Sequence, residues 1–70
     1  MMILAEYAPL VRDIIARAEA DGLTIDDGNV VDLLADNLND LSISQIRLAL
    51  IVAGLAARFP RASRSREAAP

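Results

Sequence analysis

The segment from Ile43 to Phe59 constrains the fold most, because as a helix it is apolar on two opposite faces. One face carries the aliphatic and small residues Ile43, Ile46, Leu50, Ala53 and Ala57. The opposite face carries Leu48, Val52, Leu55 and Phe59. Only a narrow strip between them suits water, and it consists of Ser44, Arg47 and Arg58 together with Ile51 and Gly54. A helix that is apolar nearly all round is expected to be buried on both sides.

The chain is too short to cover both faces by itself. It has 70 residues, and in a three-helix monomer each helix packs against two others that cover adjacent sectors. No disulfide can add stability, because there is no cysteine, yet 54% of the residues are hydrophobic. A single core below roughly 70–80 residues seldom supplies more than about 3–5 kcal/mol, so chains of this size often associate. We therefore predict a homodimer whose interface contains Leu48, Val52, Leu55, Phe59 and Ile51.

Two other arrangements would also cover the second face. Residues 1–7 contain several apolar side chains, so folding this segment across the helix would complete a monomeric core. Alternatively, a different protein occupies the face. All three arrangements bury an apolar surface that would otherwise be contiguous and exposed, and such surfaces usually mark interaction sites.

A first helix is predicted over residues 8–21. Its apolar stripe contains Leu10, Val11, Ile14, Ile15 and Ala18 at helical spacing. Gly22 stands just past its end, where a left-handed residue is favoured. Pro9 is tolerated in a first turn but not in a helix interior, so we expect the helix to start near Ala8, after a separate turn.

A second helix is predicted over residues 28–39, with Asp26 or Asp27 capping its free N–H groups. Its apolar stripe contains Val30, Val31, Leu34, Leu38 and Leu41. Asp32, Asp36 and Asp40 recur every four residues on the opposite side. Like charges at this spacing destabilise a helix slightly, which leaves two interpretations: a solvated face, or a recognition surface for a basic partner.

The third helix is predicted over residues 43–59. Ser42 and Gln45 fit a capping box at its start, and Pro60 is expected to stop it. The chain is thus predicted to be all-α, a compact three-helix domain over residues 1–59. Residues 60–70 lack large apolar side chains and are predicted to form a flexible tail containing Arg61, Arg64 and Arg66. The domain carries four Arg and nine acidic residues, whereas the tail carries three Arg and one Glu.

Catalysis is not expected. Histidine, cysteine and lysine are all absent, which removes most general bases, nucleophiles and zinc ligands. The acidic run around Gly28 does not fit a calcium loop, because Leu23 and Ile25 fall where oxygen ligands are needed. We therefore predict no catalytic residue, no metal and no cofactor.

The function predicted from these features is that of a small protein-binding regulator, such as an adaptor, an antagonist or a regulatory subunit. We expect it to be cytoplasmic and not embedded in a membrane, because the longest uncharged apolar run is only ten residues, 48–57. A helix-turn-helix DNA-binding regulator is the main alternative, since a short turn joins the second and third helices. The net negative charge of the domain argues against nucleic acid as a partner, because the phosphate backbone is also negative. A structural assembly subunit is a further alternative.

Overall fold

The computed structural model describes residues 4–64, which form a short 3₁₀ turn followed by three α-helices. The 3₁₀ turn is Leu4–Tyr7, and the helices are α1 (Ala8–Ala20), α2 (Val30–Asn37) and α3 (Ile43–Val52). Within this range there is no β-strand, so the predicted all-α fold with three helices is confirmed. None of these helices combines the length and the apolar stretch needed to cross a lipid bilayer.

The start and end of α1 follow the predicted signals. Pro9 lies in its first turn, and the preceding residues form a separate 3₁₀ turn that packs against α1 and α3. Gly22 has a φ of +94° just past the end. The N–H of Leu23 donates to the carbonyl of Ala18 at 3.0 Å, and the N–H of Gly22 donates to Glu19 at 3.0 Å. These two bonds form a Schellman motif, which satisfies carbonyls that the helix end leaves free.

The second helix is shorter than the predicted 28–39 and begins after a polar turn. The carboxylate of Asp26 accepts hydrogen bonds from the N–H groups of Gly28 and Asn29, at 2.8 and 3.1 Å. Asp26 thus caps the turn that leads into α2. Because the helix ends at Asn37, Asp40 lies beyond it in the following turn.

The predicted extent of α3, to Phe59, is wrong. The helix ends at Val52 because Gly54 adopts a φ of +80°, a left-handed conformation that stops helix propagation. The N–H of Leu55 donates to the carbonyl of Leu50 at 2.9 Å, and the N–H of Gly54 donates to Ile51 at 3.0 Å. This is the same Schellman geometry that ends α1, and it acts six residues before Pro60.

The chain after Gly54 turns back onto the core. Leu55 and Phe59, predicted for the second apolar face of the helix, are therefore not part of α3. Phe59 is only 1% exposed, and Leu55 is half-buried against the same core. The placement of Phe59 on an exposed interface is therefore wrong, whereas part of the Leu55 side chain remains accessible. Ala62 and Ser63 are also buried, so packed structure continues beyond residue 59. Arg66 lies outside the described residues.

The core is formed by one face of each helix and by the returning C-terminal segment. Its completely buried side chains are Val11, Val30, Leu34, Ile46, Ala49 and Leu50. The predicted stripes of the first two helices supply Val11, Ile15, Leu34 and Leu38 to this core, whereas Leu10 is half exposed. Helical periodicity therefore predicted the inward faces of α1 and α2 well.

Candidate protein-binding surface

The outer face of α3 exposes three neighbouring aliphatic side chains: Leu48, Ile51 and Val52, which we call the α3 outer face. Their exposed fractions are 51%, 48% and 44%. The three residues are spaced i, i+3 and i+4, so they lie side by side on the helix surface. They face away from the core, because the opposite side of α3 is buried.

Local signals at both ends of α3 fix which face points outward. At its start, the Ser42 N–H donates to Gln45 Oε1 at 2.8 Å, and the Gln45 N–H donates to Ser42 Oγ at 3.2 Å. This is the predicted capping box, and it sets the first helical residue. At its other end, the left-handed conformation of Gly54 determines where the helix stops. With both ends fixed, burial of Ile46 and Leu50 requires Leu48 and Ile51 to point into solvent.

A cavity of about 180 Å³ lies between the α3 outer face and the C-terminal segment. It is lined by Ser44, Arg47, Leu48, Ile51 and Ser63, and we call it the α3 groove. Most of its lining surface is apolar. The groove therefore offers aliphatic contact at its base and polar groups at its edges.

The C-terminal wall of the groove is held in place by two long-range contacts. Asp27 Oδ1 accepts hydrogen bonds from the N–H groups of Arg61 and Ala62, at 3.1 and 2.9 Å. At the other end of the same turn, Arg47 Nη1 donates to the carbonyls of Ala62 and Arg64, at 2.8 and 3.5 Å. A carboxylate thus binds the N–H end of the turn and a guanidinium binds its carbonyl end, which matches the polarity of a helical turn.

Charge is distributed very unevenly between the two halves of the molecule. Residues 41–64, which include α3 and the C-terminal segment, contain four Arg and no acidic residue. Residues 4–40 contain nine acidic residues and two Arg. The residues that line the groove therefore all come from a segment without acidic side chains, and Asp27 of the other segment binds its C-terminal wall.

The predicted acidic stripe does not form one helical surface. Asp32 and Asp36 are exposed on α2 and make no hydrogen bond or ion pair with another residue in the range 4–64. Asp40 lies past the helix end and accepts a hydrogen bond from the Tyr7 hydroxyl at 2.6 Å. This bond to a carboxylate raises the pKa of Tyr7, and the surrounding chain and the charges of Asp40 and Glu6 act in the same direction.

A second, wider cavity of about 420 Å³ is lined by Glu6, Tyr7, Leu10, Leu38 and Asp40. All of its lining residues belong to the acidic segment, residues 4–40, and two of them are Glu6 and Asp40. In the part of the chain that the structure describes, no three potential ligands of the His, Cys, Asp or Glu types lie close enough to hold a metal ion.

No protein-family model, curated protein or solved structure gives a significant match to the chain. Function is therefore inferred from the residues of this chain itself.

Several residues that shape the candidate surface have no signal in the local sequence. Asp27 was a candidate cap for α2, but its carboxylate instead binds the turn near Ala62. Arg47 was placed on a solvated strip, yet it binds that same turn. Arg12, on α1, donates from Nη1 to the carbonyl of Ala53 at 3.1 Å. These partners are 15 to 41 residues apart in sequence, so neighbouring residues do not reveal them.

Proposed function

We propose that the protein is a small non-catalytic regulator that binds another protein through the α3 outer face. The observation that supports this most is the half exposure of Leu48, Ile51 and Val52 on adjacent positions of one helix. Hydrophobic residues scattered singly on a surface are common, whereas contiguous ones usually indicate an interaction site. In the proposed mechanism the α3 outer face covers a surface that the target protein needs for its own activity.

The size of the α3 outer face favours a reversible contact. A stable interface buries about 800 Å² on each partner, and three half-exposed aliphatic side chains supply only a part of such an area. The remainder would come from polar residues around the groove. Such an interface suits regulation, in which the complex has to form and dissociate.

Homodimerisation through the same face is the second candidate. It is supported by the small size of the chain, which has neither a disulfide nor a histidine or cysteine for a structural zinc site. With Phe59 buried in the core of its own chain and Leu55 partly buried against that core, the face available to a second copy is smaller than the sequence indicated. We therefore place homodimerisation second to the binding of a different protein.

The helix-turn-helix alternative has less support. A recognition helix presents polar and basic side chains to the DNA bases, whereas the outward positions of α3 are mainly aliphatic. Arg47, the one basic residue on α3, donates to the carbonyls of Ala62 and Arg64.

The proposed function is tested with a matched pair of variants, Leu48→Ser and Leu23→Ser. Both leucines are about half exposed, 51% and 56%, but only Leu48 belongs to the α3 outer face. Each variant serves as bait for affinity capture from the host, and any captured protein is then purified and tested for direct binding. We expect Leu48→Ser to lose the partner and Leu23→Ser to retain it. Equal binding by both variants would contradict the proposal.

Self-association is measured on the same variants by sedimentation velocity. A dimer that dissociates in Leu48→Ser, but not in Leu23→Ser, would favour the homodimer candidate. Both variants are expected to fold, because exposed substitutions of this kind usually change stability by less than about 0.5 kcal/mol.

A further inference from the structure

We propose that the segment bound by the α3 groove is an acidic amphipathic segment of another protein, with apolar side chains flanked by Asp or Glu. This proposal rests on the proposed function, and it specifies the chemistry of the partner. It is supported by charge complementarity around the groove and by the small area of the α3 outer face.

The edges of the groove are basic. Arg47 lines it directly, and the backbone of Arg64 lies next to Arg47, with the Arg64 carbonyl 3.5 Å from Arg47 Nη1. Arg58 is paired with Glu19, so its charge is already balanced. Arg47 makes its described contacts only with backbone carbonyls, so no acidic side chain in residues 4–64 neutralises its charge.

No acidic side chain of residues 4–64 is among the residues that line the α3 groove. Asp27 accepts two backbone N–H bonds from the C-terminal turn, and Asp40 accepts a hydrogen bond from Tyr7 at the second cavity. Neither carboxylate lines the α3 groove. A basic or neutral partner would leave the positive charges without a counter-charge.

The same charges argue against a second copy of the chain as the occupant. In a symmetric dimer each patch meets an identical patch, so the basic edge of one copy faces that of the other. Residues 41–64 contain no acidic side chain that would relieve this repulsion. An acidic partner gains attraction from the same groups, and its association would be faster at low salt.

The aliphatic side chains define the shape that the partner must have. Leu48, Ile51 and Val52 form a short ridge, which suits one helix with apolar residues at i, i+3, i+4 and i+7. A single helix of this kind covers the ridge and the adjacent groove while its flanking carboxylates reach Arg47 and Arg64.

The test uses two synthetic peptides with the same leucine stripe. One peptide carries Glu at all flanking positions and the other carries Lys, and each has a fluorescent label and blocked termini. Binding to the full chain is measured by fluorescence anisotropy at low and moderate salt. We expect the Glu peptide to bind roughly tenfold more tightly than the Lys peptide and to weaken as salt increases.

Variants assign the binding to the groove. Leu48→Ser should weaken Glu-peptide binding roughly tenfold and Arg64→Glu severalfold. Leu23→Ser is the control for the apolar change. Arg17→Glu is the control for the charge reversal, because Arg17 is an exposed α1 residue and the net charge changes equally. Both controls should bind as the unmodified chain does.

The proposal would be overturned if the Lys peptide bound as tightly as the Glu peptide or more tightly. It would also be overturned if Leu48→Ser left Glu-peptide binding unchanged. The third contradicting result is that the chain binds vesicles of phosphatidylserine and phosphatidylcholine but does not bind the Glu peptide. If the peptides fail but the captured partner still depends on Leu48, only the partner chemistry is wrong. If dependence on Leu48 is also missing, the proposed function fails as well.

Discussion

Asp27 and Ala62 are 35 residues apart in the sequence, and Asp27 Oδ1 accepts a hydrogen bond from the Ala62 N–H at 2.9 Å. The same oxygen accepts the N–H of Arg61, so one carboxylate satisfies two donors at the start of the C-terminal turn. This turn brings Phe59 and Ala62 into the core and forms one wall of the α3 groove. A polar contact thus completes the core of a very small domain.

Replacing Asp27 tests this contact. We expect Asp27→Ala to lower the free energy of unfolding by about 1–2 kcal/mol, because two backbone N–H groups lose their acceptor. Urea unfolding followed by circular dichroism measures the change. Asp32→Ala is the matched control, since Asp32 is exposed on α2, and it should change stability by less than about 0.5 kcal/mol. Equal effects of the two substitutions would contradict a capping role for Asp27.

Gly54 provides a second prediction, because its φ of +80° is unfavourable for an L-residue. A Cβ added at this position would meet no atom within 4 Å, so any cost comes from backbone conformation. L-alanine at position 54 should lower the free energy of unfolding by about 1–2 kcal/mol. D-alanine, introduced by chemical synthesis, prefers positive φ and should be at least as stable as glycine. Destabilisation by both enantiomers would instead indicate a steric cause.

Arg12 is expected to stabilise the end of α3. Its Nη1 donates to the carbonyl of Ala53, the residue that caps this helix, so the charge also interacts with the negative end of the helix dipole. Arg12→Ala should cost about 1–2 kcal/mol of unfolding free energy. Arg17→Ala removes an exposed Arg from α1, the helix that also carries Arg12, and breaks its ion pair with Asp13. It should cost less than about 0.5 kcal/mol of unfolding free energy. Thermal and urea unfolding of the two variants would show this difference, and a larger loss for Arg17→Ala would refute the assignment.

Tyr7 gives a spectroscopic test of its contact with Asp40. The hydrogen bond to this carboxylate raises the pKa of Tyr7 above its ordinary value. Because Tyr7 is the only tyrosine and there is no tryptophan, tyrosinate absorbance reports on it alone. Asp40→Asn should lower the pKa of Tyr7 towards that of a free tyrosine, whereas Asp32→Asn should leave it unchanged. An unchanged titration in Asp40→Asn would show that the bond does not persist in solution.

The sign of the corresponding pH dependence follows from linkage. Folding raises the pKa of Tyr7, so the protonated hydroxyl is favoured in the folded state. The resulting stabilisation is fully present below the unfolded pKa of about 10 and is lost as pH rises through the folded value. In Asp40→Asn, the loss of stability in this alkaline range should be smaller.

The sequence predicted those parts of the fold that depend on local chemistry. Apolar periodicity gave the inward faces of α1 and α2, Pro9 and Gly22 gave the limits of α1, and the Ser42–Gln45 pair gave the start of α3. In each case the signal and the structure it specifies lie within one or two helical turns.

The end of α3 was missed although a local signal was present. Gly54 precedes Leu55 just as Gly22 precedes Leu23, and both glycines end a helix in the same way. The apolar pattern continues past Gly54, however, because residues such as Phe59 are needed in the core after the chain reverses direction. Periodicity alone does not distinguish a continuing helix from a returning segment.

The candidate surface could be predicted only in part. Leu48, Val52 and Ile51 are predicted from the sequence and are exposed. Phe59 is predicted for the same face but belongs to the core, and Leu55 is partly buried against it. The basic edge was not predicted, because it depends on where the C-terminal turn packs. That placement is determined by Asp27 and Arg47 through contacts distant in sequence.

Site-specific photo-crosslinking in the host cell shows whether α3 contacts another protein through its outer face. A photoreactive phenylalanine analogue replaces Ile51 in one full-length chain and Leu23 in another, since both side chains are about half exposed. We expect a discrete adduct with another protein from position 51 and none from position 23. No adduct at position 51, or the same adducts from both positions, would contradict it.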